Sequence, residues 1–305
     1  FCHSLRTVML PYLALSLAML LWASSFIALK YVFSVFDPMV VLFARMVIAT
    51  LCLLPLMLRP GVRRRYQKGD WKWLAALALA EPCLYFLLEA RALVYTSASQ
   101  AGVITATLPL LTSLGALLFL KERLGRTVWL GIAVSFAGVL WLTLTGEQSA
   151  DAPNPLLGNA LEFLAMVCAT GYILIAKKLS VRYSALVITA AQTVLGMLWF
   201  GVLLFTPWVT LPQTLPLWPS LWVLYLGAGI TLGAYGLYTW SVSRVPVAMA
   251  GAFVNLIPVF TVLLAWVILG ETLSAQQQLA CLLVFGGVLI SQRKPAKARV
   301  QTTQA

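Results

Sequence analysis

The sequence predicts an all-α integral membrane protein, with ten transmembrane helices in two inverted five-helix repeats around a central cavity. Three observations carry that prediction: a composition too apolar for a water-facing surface, ten segments of spanning length, and a repeat holding an odd number of spans. Of 305 residues, 61% are hydrophobic and 10% are charged, and the mean hydropathy is +0.92. Soluble domains carry about 25% charged residues. This chain belongs in lipid.

Crossing the hydrocarbon core takes about 20 mostly apolar residues per helix. Charged residues, prolines and glycines cut the chain into segments at 10–33, 38–58, 71–91, 98–119, 126–145, 156–177, 184–206, 219–241, 247–269 and 275–292. The first apolar run exceeds the roughly 7–15 residues of a secretory signal, and nine more follow, so it reads as a retained helix. The polar stretch GEQSADAPNP at 146–155 reads as an exposed external linker. It separates a first repeat at 10–145 from a second at 156–292, and residues 293–305 form a basic tail. Cys2, Cys52, Cys83, Cys168 and Cys281 follow neither a disulfide nor a metal spacing and read as small hydrophobes.

The net charge of +12 is distributed by loop. If both termini share one side, 18 of the 21 Lys and Arg fall on that side, in and beside the loops that hold Arg63, Lys121, Lys177, Arg244 and Arg293. The opposite loops hold Asp37, Glu147, Asp151 and Glu271. The positive-inside rule then puts both termini in the cytoplasm. The basic loops are topology signals, and the charge asks for no nucleic-acid partner.

Shifting the chain by 149 residues pairs Pro109 with Pro258, Thr112 with Thr261, Glu122 with Glu271 and Gly138 with Gly287, and 14 of the 40 positions from 101 to 140 are identical. A shift of 147 pairs Lys30 with Lys177. Five spans per repeat is odd, so the second copy enters the membrane upside down. The basic KERLGR after the fourth segment and the uncompensated Glu271 of GETLSA after the ninth agree with that inversion. Inverted repeats that meet around a midplane site are an architecture of secondary transporters.

Several residues also carry a family resemblance. Trp22-Ala23-Ser24-Ser25-Phe26 with Lys30, Ala44-Arg45, Thr96-Ser97-Ala98 running to Pro109, Leu120–Glu122, and the second copies Pro258 and Leu269-Gly270-Glu271 resemble the EamA-type drug/metabolite transporters. The resemblance covers roughly residues 11–292. It implies ten helices in two inverted halves, a central cavity, and export or exchange of small metabolites such as amino acids. Lys121 stands where that family usually has glycine.

Carboxylates at bilayer depth are costly, by about 2.5–3.5 kcal/mol on insertion scales, so the polar residues inside the segments mark the candidate site. Glu81 lies about 15 Å into its helix, near mid-bilayer. Glu81, Tyr85 and Glu89 share one helical face by i, i+4, i+8 spacing, and Thr231, Tyr235 and Tyr238 echo them in the eighth segment. Trp22, Tyr172, Trp240 and Asn255 complete the candidate substrate-binding set. Glu81 either binds a substrate ammonium, helped by aromatic faces, and exchanges a proton for it, or is a protonated acid bonded to another helix. Glu89 reads as a vestibule residue that pairs with Arg91, Arg45 or Lys30, with Glu162 in the same network. Pro82 should loosen its helix and leave carbonyls open to a ligand or water. Pro109 and Pro258 are either packing kinks or gating hinges. Trp208, Trp218 and Trp222 suit an interfacial aromatic belt.

The reading that follows is a secondary-active transporter of the cytoplasmic membrane, exporting or exchanging amino acids or related amines by alternating access, with protons as the candidate coupling ion. A passive channel and an intramembrane enzyme are the alternatives. The chain has no phosphate-binding loop for ATP, and its one histidine, His3, is near the N-terminus. Glu81 and Glu89 sit about 12 Å apart along their helix, too far to share a proton. The sequence implies no cofactor and no metal.

Overall fold

In the computed structural model the described residues are 2–57, 67–121, 123–242, 244–245 and 253–292, and they form a bundle of helices without strands. Eight helices are long and apolar enough to cross a membrane: α1 (Cys2–Phe33), α2 (Pro38–Met57), α3 (Asp70–Tyr95), α4 (Ala98–Phe119), α5 (Arg126–Leu144), α6 (Pro155–Leu179), α7 (Ala185–Leu203) and α8 (Leu217–Tyr238). Two shorter apolar helices follow, α9 (Leu256–Leu269) and α10 (Ala275–Ser291). Each falls within one of the ten segments read from the sequence or overlaps most of it. Glu122, Ala250, Gly251, Arg63 and the tail 293–305 lie outside the described residues.

The helix ends follow local chemistry. Ser97, Asn154 and Ser184 accept from the backbone N–H of Gln100, Leu157 and Val187, which satisfies donors that a helix start leaves open. Ser274 and Gln277 form a reciprocal capping box ahead of α10. Lys121 and Gly270, which the 149-residue shift pairs, both close their helices in the left-handed region, at φ 56° and 69°. Glycine adopts that conformation without steric cost whereas lysine pays for its Cβ. The family's usual glycine therefore has a backbone reason, and Lys121 departs from it at some expense.

Four helices are interrupted, and the interruptions pair by the same shift. α3 widens into a π-helical stretch at Leu79–Leu84 and α8 at Tyr225–Ala234. α4 breaks at Ala106 and Thr107, just before Pro109, and α9 begins after a turn at Asn255, just before Pro258. The prolines thus sit in the first turn of a new helical piece, where a missing N–H costs nothing.

Packing repeats the pairing. α5 packs on α10, α2 on α7 and α4 on α9, each a pair of repeat-equivalent helices. Other large contacts exchange when the halves are swapped: α3 on α6 with α1 on α8, and α4 on α6 with α1 on α9. Close approaches give the directions: Gly131 faces Gly287 and Ser291 while Gly138 faces Ala280 and Val284, so α5 and α10 run antiparallel. Gly201 against Phe43 and Gly196 against Met46 do the same for α7 and α2. With no hydrophobic drive between helices in lipid, backbone approach over small residues is what holds such pairs.

The α5–α10 seam is the tightest. A Cβ on Gly287 would lie 2.5 Å from the Ser135 nitrogen and 2.6 Å from the Gly131 carbonyl oxygen, whereas a Cβ on Gly286 would meet nothing within 4 Å. Gly287→Ala should therefore push the helices apart and cost about 1–3 kcal/mol. Gly286→Ala should leave stability unchanged or raise it by less than about 1 kcal/mol. Thermal unfolding of both variants in detergent checks the pair; equal Tm values would contradict the seam.

Candidate functional site

The site is built on the interruption of α3. Glu81 leaves helical geometry, at φ −147° and ψ 120°, immediately before Pro82. The proline ring seats on Gly196 of α7, where a Cβ would come within 2.5 Å of Pro82 Cγ and 3.0 Å of Met46 Sδ. Sequence reasoning left a carbonyl here for a ligand or water. The structure instead gives the Glu81 carbonyl to Gln192, whose Nε2 donates to it at 2.8 Å.

The Glu81 side chain reaches α8, where its carboxyl is close enough to interact with the Tyr235 hydroxyl. Trp22 of α1 sets its ring edge-on to Tyr235 and tilted to Tyr238, both at 5.2 Å between centroids. Tyr172 of α6 is close enough to interact electrostatically with both Glu81 and Tyr238. Nearby, the Ser24 and Tyr225 hydroxyls are hydrogen-bonded at 2.6 Å. Glu81, Trp22, Tyr172, Tyr235 and Tyr238 are all half-buried. One carboxyl, three phenols and an indole therefore converge from α1, α3, α6 and α8.

One turn along α3, Tyr85 turns away from this ring and donates to Glu89 Oε1 at 2.7 Å. Arg45 of α2, only 6% exposed, places its guanidinium 4.3 Å from the centre of the Phe86 ring. Its charge acts on both Glu81 and Glu89. Stacking on an aromatic face suits a weakly hydrated guanidinium held out of water. Glu89 is 4% exposed and Glu162 fully buried. The interior thus holds two carboxyls within reach of one arginine, and a third, Glu162, beside Glu89.

Other candidates lie elsewhere. Arg244 stacks on Trp240 at 4.3 Å. Asn255, at the start of α9, has a buried Oδ1 with no hydrogen-bond partner among the described residues. Arg91 is exposed and lines a cleft of about 330 Å³ with Met39, Leu87, Leu203, Thr206 and Trp208. Lys30 donates to three backbone carbonyls, those of Leu93, Thr96 and Asp151, at 2.7, 2.7 and 2.5 Å, rather than to Glu89.

The EamA-like transporter family matches this sequence twice, over residues 9–144 and again over 156–292. The chain belongs to the EamA-like transporter family. Among its relatives, the uncharacterized transporter YetK of Bacillus subtilis is 30% identical over 207 residues, covering 65% of this chain and 60% of that protein. A protein of Streptantibioticus cattleyicolor named a probable terminal-alkyne amino-acid exporter is 26% identical, over 92% of this chain and 93% of its own. A solved crystal structure shares the fold at a TM-score of 0.60 and 21% identity, covering 92% of this chain and 96% of that one. The family and relative names indicate transporters.

In this EamA-like chain the ends of α3 and α4 are clamped by opposite charges. Lys30 sits on carbonyls at the C-terminal end of α3, and Glu271 accepts from the Ala98 and Ser99 amides that open α4, at 2.9 and 2.8 Å. Each charge meets the helix end of opposite polarity. Beside them Asn159 bonds Thr96 and Gln100, at 2.7 and 2.8 Å. Gln192, Asn159 and Gln100 escaped the sequence reading. Their signal was an amide within an apolar segment, a group that must find a partner in lipid. Glu271→Ala should cost about 0.5–2 kcal/mol, as loss of a helix cap does. Hydrogen exchange at the Ala98 and Ser99 amides should accelerate with it; unchanged exchange would remove the clamp.

Proposed function

We propose that this protein is a secondary-active transporter of the cytoplasmic membrane, exporting or exchanging small amine-bearing metabolites such as amino acids by alternating access. The observation that carries it is Glu81, at a helix interruption and ringed by Tyr235, Tyr172, Tyr238 and Trp22. A carboxylate among aromatic faces is the chemistry that receives an ammonium group. The family's transporter name and the amino-acid exporter among the relatives support this chemistry.

The architecture behind the proposal is ten membrane-crossing helices in two inverted halves, 10–145 and 156–292, joined by an external linker at 146–155. Antiparallel packing of the repeat-equivalent pairs α2–α7 and α5–α10 supports the inversion. The Lys and Arg bias supports cytoplasmic termini. Paired interruptions in α3 and α8 and in α4 and α9 are the kind of discontinuity that marks transporter binding sites. Pro82, Pro109 and Pro258 mark where the helices bend as the cavity changes sides.

The test is counterflow in proteoliposomes with a panel of radiolabelled amino acids and small amines. Trans-stimulated uptake identifies a carrier, and uptake without it a channel. Glu81→Gln should lower counterflow by tenfold or more, roughly the loss of one charge-assisted contact. Retention of wild-type flux by a folded Glu81→Gln protein would overturn the assignment.

A further inference from the structure

α6 lies antiparallel to α3, and two glycines fix the register. A Cβ on Gly158 would come within 2.6 Å of Thr96 Cβ, and one on Gly171 would lie 3.9 Å from Ala80 Cβ. Glu162 stands one turn beyond Gly158, which brings it level with Glu89, whose charge acts on it. Glu162 is 0% exposed, and neither carboxyl oxygen has a hydrogen-bond partner among the described residues. Glu89 has the Tyr85 hydroxyl on Oε1 and the charge of Arg45 nearby. The two buried carboxyls are therefore unequal: one is provided with a donor and a cation, the other with neither.

An ionised carboxylate without donors and away from water is among the most expensive groups a protein can hold. Two carboxyls within reach of one another's charge cannot both ionise cheaply. We propose that Glu162 is a proton-binding site separate from the substrate carboxyl Glu81, and that Glu89, the carboxyl level with it and served by Tyr85 and Arg45, is the neighbour that favours the proton on Glu162. The proton is taken from water on one side of the membrane as an O–H bond forms at a Glu162 carboxyl oxygen. It returns to water on the other side when that bond breaks, and no electron moves.

The surroundings leave the assignment to these groups. From α3 come Glu89, Tyr85 and, farther along, Glu81; from α2, Arg45; from α8, Tyr235; from α6 itself, Tyr172. α4, which also packs on α6, has no titratable side chain between Ala98 and Phe119, and that of α5 is Arg126, at its start. Asp70 and Lys72 lie at the far end of α3. Asn159, three residues before Glu162 on α6, is bonded to Gln100 and Thr143 at 2.8 and 3.4 Å.

Coupling a proton to flux rests on the transporter reading, but proton binding does not, and the experiment keeps the two apart. Infrared difference spectra of the full chain in lipid nanodiscs are recorded as the pH is raised from acidic to alkaline. The wild type should show a protonated-carboxyl C=O band that disappears on titration. Glu162→Gln should lack that component, Glu162→Asp should shift it, and Glu81→Gln should retain it. A titrating spectrum identical in the wild type and Glu162→Gln would overturn the proposal, as would an unshifted band in Glu162→Asp should the glutamine variant not fold. In proteoliposomes, with an amino acid that passes the counterflow test, Glu162→Gln should keep exchange and lose accumulation driven by a pH gradient. Retained accumulation would overturn the coupling role. The spectra need no substrate, so failure of the amino-acid reading leaves their outcome standing.

Discussion

An arginine held out of water needs negative charge beside it, and the interior of this bundle is arranged around that need. Arg45 is carried by α2, which packs between α7 and α8, and its guanidinium lies on the Phe86 ring. Its charge reaches Glu81 at the interruption of α3 and Glu89 two turns later. One cation thus ties together the two sides of a broken helix. The carboxyls outnumber it, with Glu162 the third, so the interior remains short of positive charge.

A broken helix inside lipid also leaves backbone groups that nothing apolar can satisfy. Here the polar side chains divide by whether they meet that demand. Gln192 takes the Glu81 carbonyl, Lys30 takes carbonyls at the end of α3, and Glu271 takes amides at the start of α4. These residues close the framework. Glu162, Asn255 and the Nε of Arg45 are buried without a partner among the described residues. They remain in the interior without a backbone to serve. A polar residue in a span is therefore informative only once its backbone duties are known.

The spans were legible because charge and proline punctuation is sharp where the rest of the chain is apolar. Matched residues at a 149-residue shift made α5 and α10 repeat equivalents, but that Gly138 and Gly287 lie on faces that meet came only from the structure. Depth and Pro82 set Glu81 apart from Glu89 in the sequence, but Glu89, expected in an outer vestibule, is the more buried of the two. Lys30 was not legible: its position matched a charge pair with Glu89, but its long side chain reaches carbonyls on α3 and on the 146–155 segment. Nor could the sequence show that Gln192, 111 residues away, would take the carbonyl at the break. Both depend on how separate helices are set against each other, and no local pattern encodes that.

The seam between α5 and α10 has a consequence for biogenesis. α10 leaves the ribosome after the other described helices, yet its glycine face is what covers Gly131, Ser135 and Gly138. Until it arrives, the small-residue face of α5 has only acyl chains against it. α5, which ends before α10 is made, therefore stays uncovered on that side until α10 reaches it.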